Sequence, residues 1–346
     1  MKRLRSAIAS LLCLALALPL SGCGNTAKTE KQIFSMDTVM TLTAYGDNAE
    51  KGLEKAVSVI NAMDSTLDPE NENSAVYAIN HAKGQSVVVT GQVVEMLDTA
   101  RTVYERTGGV LDPAIYPLVK AWGFIDGKYT VPTQDAIDTL LTQIDFSTVK
   151  VAGFADSSDY LLTAPSGTQL TFGALAKGCA SDYAIAALRQ AGVSSACISL
   201  GGNVQTLGAK PDGSNWSIAV QDPNDTGSYV GVLSLGETAV VTSGGYQRYF
   251  EQDGVRYHHI LDPRTGYPAE SGLLSVTIIC QSGLMADALS TTLYILGEDK
   301  AVDYWRTYGG FDMVLVTDDG RVVATSGLYD TFQSYGDKYS YEYVSE

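Results

Sequence analysis

At 346 residues, 45% hydrophobic and 18% charged, the chain holds enough apolar material for one large folded domain or two coupled ones. Its formal net charge of −16 leaves no excess of Lys or Arg to neutralise phosphates, which argues against nucleic acid as a partner. An acidic chain can still bind an anionic ligand where backbone donors or a bound cation face it.

The first element is an export signal. Lys2, Arg3 and Arg5 precede an apolar run from about Ala7 to Leu18, and small residues follow. The run is too short to span a bilayer, which takes roughly 20 apolar residues. Leu20-Ser21-Gly22-Cys23 resembles the lipobox of bacterial lipoproteins, in which cleavage precedes a Cys that carries lipid. The other reading is an ordinary signal with a chance Cys. The lipoprotein reading makes residues 1–22 the signal, Cys23 the lipidation site and 23–32 a tether. It places the body outside the cytoplasm, lipid-anchored to the bacterial cell membrane. Without the signal, 20 Lys and Arg stand against 39 Asp and Glu, a charge of −19 that anionic headgroups do not attract, so anchoring falls to the lipid. Cys179, Cys197 and Cys280 are odd in number, far apart and set in apolar segments. That fits buried small hydrophobes rather than a disulfide framework.

The elements then follow in order. "IFSMDTVMTLTAYG" reads as an opening β segment. Leu53, Val57, Ile60, Met63 and Leu67 recur at helical spacing and predict a helix over about 48–66. "DPENEN" reads as an acidic loop. A helix capped by Thr90 runs to Gly108, a shorter one covers "PTQDAIDTLLTQI", and "AKGCASDYAIAALRQAG" is a helix ended by Gly192. Strands are predicted at "SACISL", "WSIAV", "GVLSLG", "AVVTS", "RYHHIL" and "LLSVTIIC", with "GGN" as a turn after the first. "MADALSTTLYILG" and "EDKAVDYWRTYGG" are the last helices, and "FDMVLVTDDGRVVAT" is a hairpin with Asp-Gly in its turn. The mixed order predicts an α+β fold with a mainly antiparallel sheet. No linker divides it, so one domain over 33–335 with two interlocked subdomains is expected, followed by a tail over 336–346.

Four segments have residues suited to chemistry. In "ADALSTT" a helix puts Asp287 and Thr291 on one face, two hard oxygens that suit Mg²⁺; an Asp that merely favours a helix N-terminus is the other reading. "TFGALAKGCASD" is a glycine turn into a helix with Lys177, able to cradle a pyrophosphate or simply to turn the chain; it is not a Walker A loop. "SLGGN" is a weaker turn of the same kind. In "TGGVLDPAIYPLVKAWGF", Asp112 could accept from a base or sugar, while Trp122 and Phe124 either cover a flat ring or pack in the core. In "RYHHILDPRTGYP", residues of a strand alternate, so His258 and His259 face opposite ways and one of them faces a site.

Together with "FSMDTVMTL" and "AVVTSGGYQRYF", these segments in this order resemble the FAD:protein FMN transferases, the ApbE family, over about residues 33–330. The resemblance implies an enzyme that binds FAD and Mg²⁺ and moves FMN onto a Thr or Ser hydroxyl of a membrane redox subunit, releasing AMP. Carried over residue by residue, it implies an ion held by the Ala174 carbonyl with Asp287 and Thr291, and Lys177 and Thr171 at the FAD. Met36, Val110, Leu111 and Asp112 would contact the flavin nucleotide, and His259 and Ile260 would lie beside it. His259 is the candidate to deprotonate the acceptor hydroxyl, with Asp287 the second catalytic candidate through the ion. Three departures stand out. Thr171 replaces a usual Asp, Met36-Asp37-Thr38 replaces Met-Gly-Thr, and Leu67 stands where a Tyr is frequent, with Tyr77 as a replacement. They leave open a Mg²⁺-dependent FAD pyrophosphatase giving FMN and AMP, and a non-catalytic flavin-binding lipoprotein.

Overall fold

The computed structural model describes residues 27–154 and 157–346. The signal segment and Cys23 lie outside the described residues. The first half gives β1 (Lys28–Ser35), β2 (Thr38–Tyr45), α1 (Ala49–Leu67), α2 (Ala75–Asn80), β3 (Ser86–Val89), α3 (Gly91–Thr107), α4 (Tyr116–Ala121), α5 (Gln134–Leu141), β4 (Lys150–Gly153), β5 (Tyr160–Thr163) and α6 (Ala176–Gln190). The second half gives β6 (Ala196–Leu200), β7 (Asn203–Leu207), β8 (Trp216–Asp222), β9 (Asp225–Leu235), β10 (Ala239–Gly244), β11 (Tyr249–Gln252), β12 (Val255–His258), β13 (Leu273–Cys280), α7 (Gly283–Leu296), α8 (Glu298–Tyr308), β14 (Asp312–Thr317), β15 (Arg321–Thr325), β16 (Phe332–Ser334) and β17 (Ser340–Val344).

A nine-stranded sheet in the order β1-β2-β6-β7-β10-β13-β14-β15-β17 is the frame, and its only parallel pair among the described residues is β15 with β17. Period-two alternation gives each central strand two apolar faces. Ala239 and Val241 of β10, with Met40, Ile198 and Ile278, bury against α1, α6 and α7. Val240, Ile279 and Val314 face the other way, onto Trp216, Val220, Leu233 and Phe332 of the small β16-β9-β8 sheet. A separate core joins Leu118, Trp122, Phe124 and Ile137 of the α4–α5 region to Leu261, Phe250 and Tyr257 at the β11–β12 hairpin. The fold is α+β and mainly antiparallel, as the order of elements predicts.

Four local expectations are corrected. The residues expected as a flexible tether include Lys28–Gln32, which pair with Leu42, Tyr45 and their neighbours in β1–β2. Ser340–Val344, expected in a tail, form the last strand of the main sheet. The strand expected through Leu261 ends at His258; His259 still donates its N–H to the Arg248 carbonyl at 3.1 Å in the hairpin register, and the chain then turns into the Asp262–Gly266 loop, where Thr265 and Gly266 N–H both bond the Asp262 carbonyl. Finally, α2 is an unanticipated helix after the acidic loop. At six residues it is too short to show periodicity, and it is started by Ser74, whose hydroxyl accepts from Tyr77 N–H.

Candidate functional site

The geometry begins where α6 crosses α7. A Cβ on Gly178 would lie 2.2 Å from the Gly283 carbonyl oxygen and 2.7 Å from the Asp287 Cβ, so only glycine permits this approach. The contact presses Asp287, 2% exposed, onto the first turn of α6, where its Oδ2 accepts from Gly178 N–H at 2.8 Å. That N–H therefore turns away from the carbonyl of Ala174, four residues back, leaving the oxygen for another partner. One turn further along α7, Thr291 Oγ1 lies 3.2 Å from Ser243 Oγ at the end of β10, and Ser243 also meets Ser290 at 2.8 Å. Asp287 and Thr291 thus sit one helical turn apart on α7, with Asp287 held against the α6 turn that follows Ala174. Lys177, in the first turn of α6, makes no ion pair among the described residues, and its charge reaches His259.

The two histidines are held in opposite tautomers. His259 Nδ1 lies 3.1 Å from the Arg248 carbonyl, which can only accept, so Nδ1 carries the proton and Nε2 keeps its lone pair. His258 receives Ile260 N–H on Nδ1 at 3.3 Å and donates from Nε2 to the Ala269 carbonyl at 3.1 Å. The His259 ring stands against Phe124 and the His258 ring against Tyr294, so the adjacent histidines have different neighbours. Burial, followed by the charges of Lys177 and Arg248, pulls the His259 pKa down to about 3, against the opposing bond to Arg248. The loop beyond is locked. Asp262 takes the Arg264 guanidinium at 2.7 Å and its backbone N–H at 2.9 Å, and Trp122 Nε1 donates to the Gly266 carbonyl at 2.8 Å. Trp122 and Phe124 belong to that core rather than covering a ring.

The remaining predicted residues surround this centre unevenly. Met36 and Asp37 form the β1–β2 turn, both in the left-handed region at φ 50° and 58°. A Cβ on Gly201 would meet Thr38 at 2.5 Å, so the glycine turn of "SLGGN" sits directly against that hairpin end. Val110 and Leu111 are buried in the main core, which leaves their backbone as the part able to touch a ligand. Asp112 is also buried: Oδ1 accepts from Ala114 N–H at 2.7 Å and Oδ2 from Phe146 N–H at 3.2 Å, and burial raises its pKa to about 6. Thr171 donates its N–H to the Pro113 carbonyl at 2.8 Å and accepts Gly173 N–H on its hydroxyl at 3.3 Å, tying the Asp112 segment to the glycine turn. Ile260 is buried beside His259, and Leu67 is buried in the core, while Tyr77 stacks on His81 at 3.9 Å between centroids.

Some participants escaped the sequence reading. Asn80 at the end of α2 clasps Leu170 twice, accepting its N–H at 2.6 Å and donating to its carbonyl at 3.0 Å, which fixes the segment ahead of Thr171. A lone Asn in a short helix offers no signal of this. Ser243 and Asp182 lie inside quoted motifs, but only the fold shows what they touch.

The family model described as "ApbE family" matches residues 36–315. The FAD:protein FMN transferase of Treponema pallidum is 35% identical over 290 residues, covering 80% of each chain. That of Klebsiella pneumoniae is 34% identical over 274 residues, 79% of this chain and 84% of the relative. The crystal structure of the ApbE protein of Thermotoga maritima superposes with a TM-score of 0.80 at 29% identity, covering 88% of this chain and 98% of that one. A transferase on an α+β frame is the class that these likenesses define. The chain belongs to the ApbE family.

Proposed function

We propose that the chain is an FAD:protein FMN transferase that uses Mg²⁺ and releases AMP. The observation that carries this reading is Asp287 held by Gly178 N–H at the α6–α7 crossing next to Lys177, with Thr291 one turn along α7 and His259 Nδ1 on the Arg248 carbonyl, which leaves Nε2 unprotonated. Among the described residues no group of three His, Cys, Asp or Glu side chains could hold an ion, so zinc-type ligation has no support. One carboxylate with neutral oxygens fits Mg²⁺, which takes few protein ligands and completes its shell with water and substrate phosphate. Such an ion, when bound, polarises phosphoryl oxygens and neutralises pyrophosphate charge.

The chain's own residues supply the rest. Lys177 and the backbone of the glycine turn bind the pyrophosphate, and the hairpin turn at Met36 and the Val110–Asp112 backbone position the flavin half. His259 Nε2 accepts the proton of the acceptor Thr or Ser hydroxyl. The hydroxyl oxygen forms a bond to the phosphorus on the FMN side, the P–O–P bond breaks, and AMP leaves. A pKa near 3 makes the free imidazole a weak base, and a bound anionic pyrophosphate raises it towards the working pH. Positioning and charge neutralisation dominate phosphoryl chemistry, so losing the ion should cost more than losing His259.

We further propose that the acceptor is a subunit of a membrane redox complex, and that Cys23 lipidation holds the enzyme at the outer side of the cell membrane. The lipobox-like segment supports anchoring, and no helix among the described residues is long and apolar enough to cross a membrane. The test is direct. The detergent-solubilised chain is incubated with FAD, Mg²⁺ and an acceptor domain, with chelator controls. Ion-dependent covalent flavin on the acceptor supports the transferase. AMP and free FMN at the same rate without acceptor would make it a pyrophosphatase, and tight FAD binding with no AMP would make it a binding lipoprotein.

A further inference from the structure

We propose that Asp182, which lies outside the ligand set, is a positioning residue that sets the place of the Asp287 carboxylate. The proposal rests on the metal reading above. Asp182 projects from the second turn of α6 towards the start of α7. Its Oδ1 accepts from Gly283 N–H at 2.7 Å and from Gln205 Nε2 at 2.8 Å, and its Oδ2 accepts from Leu284 N–H at 3.0 Å and Ser282 Oγ at 3.1 Å. Those backbone donors belong to the first turn of α7, where no intrahelical partner exists. Ser282 in turn caps Met285 N–H at 3.2 Å. One carboxylate of α6 thus closes the N-terminus of α7, five residues before Asp287.

The same pair of helices is joined a second time by Gly178 N–H on Asp287 Oδ2. Two carboxylates therefore bridge in opposite directions, Asp182 from α6 to α7 and Asp287 from α7 to α6. The glycine contact between Gly178 and Gly283 lies between them and leaves no side chain to act as a spacer. Without Asp182, the Gly178–Asp287 bond is the one remaining hydrogen bond between the two helices among the described residues, and the start of α7 can slide or turn against α6. The Asp287 and Thr291 oxygens would then shift relative to the Ala174 carbonyl ahead of α6. Gln205 belongs to the same unit: it is 5% exposed, and its Nε2 is committed to Asp182 while its Oε1 has no partner.

The test measures ion binding directly as well as turnover. Mn²⁺ binding by electron paramagnetic resonance and Mg²⁺ binding by calorimetry are compared for the wild-type chain, Asp182→Asn, Asp182→Ala and Ser282→Ala, below each melting temperature. Groups that orient metal ligands typically contribute 10- to 100-fold in affinity. The expected order is wild type, Ser282→Ala, Asp182→Asn, Asp182→Ala, with at least a tenfold loss at the end and FAD affinity in the absence of ion within about twofold. If Asp182→Ala does not fold, the first two variants must still weaken ion binding in that order. Folded variants that melt lower yet bind Mn²⁺ as the wild type does would overturn the proposal and leave Asp182 purely structural. A wild-type chain that binds neither ion would overturn the metal reading itself, and this proposal with it.

Discussion

His258 and His259 differ in what they hold rather than in what they are. The Arg248 carbonyl fixes the proton of His259 on Nδ1 and frees Nε2, whereas both ring nitrogens of His258 are spent inside the loop. Replacing His259 with Ala should slow flavin transfer by about 10²- to 10⁴-fold and leave FAD affinity nearly unchanged, read by single-turnover labelling and flavin fluorescence. Transfer at the wild-type rate would remove His259 from the mechanism. The pH dependence of stability carries a second signature. An unfolded chain protonates this imidazole near its ordinary value of 6.5, the folded chain only near 3. Between those values the unfolded state binds more protons, so stability falls as pH falls, by at most about 1.4 kcal/mol per pH unit. Wild type minus His259→Asn, measured by denaturant unfolding, should therefore shrink from pH 6.5 to pH 4. Asp112 has the opposite sign: its folded pKa of about 6 exceeds the ordinary 3.8, so its contribution falls as pH rises through that window. The histidine pair and the Asp287–Thr291 spacing were legible in the sequence. The tautomers were not, because they depend on Arg248 and Ala269 carbonyls brought in by tertiary structure.

Turns and helix crossings carry the next level. The β1–β2 turn runs through Met36 and Asp37, both left-handed, a conformation that costs a non-glycine residue roughly 1–2 kcal/mol. Asp37→Gly should relieve that cost, less the greater freedom glycine has when unfolded, for a net gain of about 0.5–1 kcal/mol and a rise of roughly 2 °C in melting temperature. A lower melting temperature would show that Asp37 holds the turn through its side chain. Gly178→Ala tests the α6–α7 crossing. The added methyl meets backbone rather than a flexible tip, so it should cost about 1–3 kcal/mol and lower activity more than the folded fraction explains. Most helices were legible because Leu53, Ile60 and Met63, or Thr90 and Gly108, mark periodicity and ends within one segment. The strand at Ser340–Val344 was not, because its pairing with Arg321–Thr325 is parallel and leaves no hairpin turn between partners.

At the scale of the whole molecule, the sheet gathers turns from distant parts of the chain at one end. The β1–β2 turn, the Gly201–Gly202 turn and the end of β10 meet there, and α6 and α7 bring Lys177 and Asp287 to the same region. Under the proposed function, a chain of net charge −16 takes an anionic substrate through Lys177, backbone donors and a cation at Asp287 that would offset the local carboxylates. The measurement that tests the account most directly is covalent flavin on an acceptor domain, resolved on a denaturing gel, from the detergent-solubilised chain with FAD, with and without Mg²⁺. The account predicts a fluorescent acceptor band that requires the ion, with AMP formed in equal amount, and a loss of at least 10²-fold in Asp287→Ala. A band of equal strength in chelator, or no band while AMP and free FMN accumulate, would contradict it.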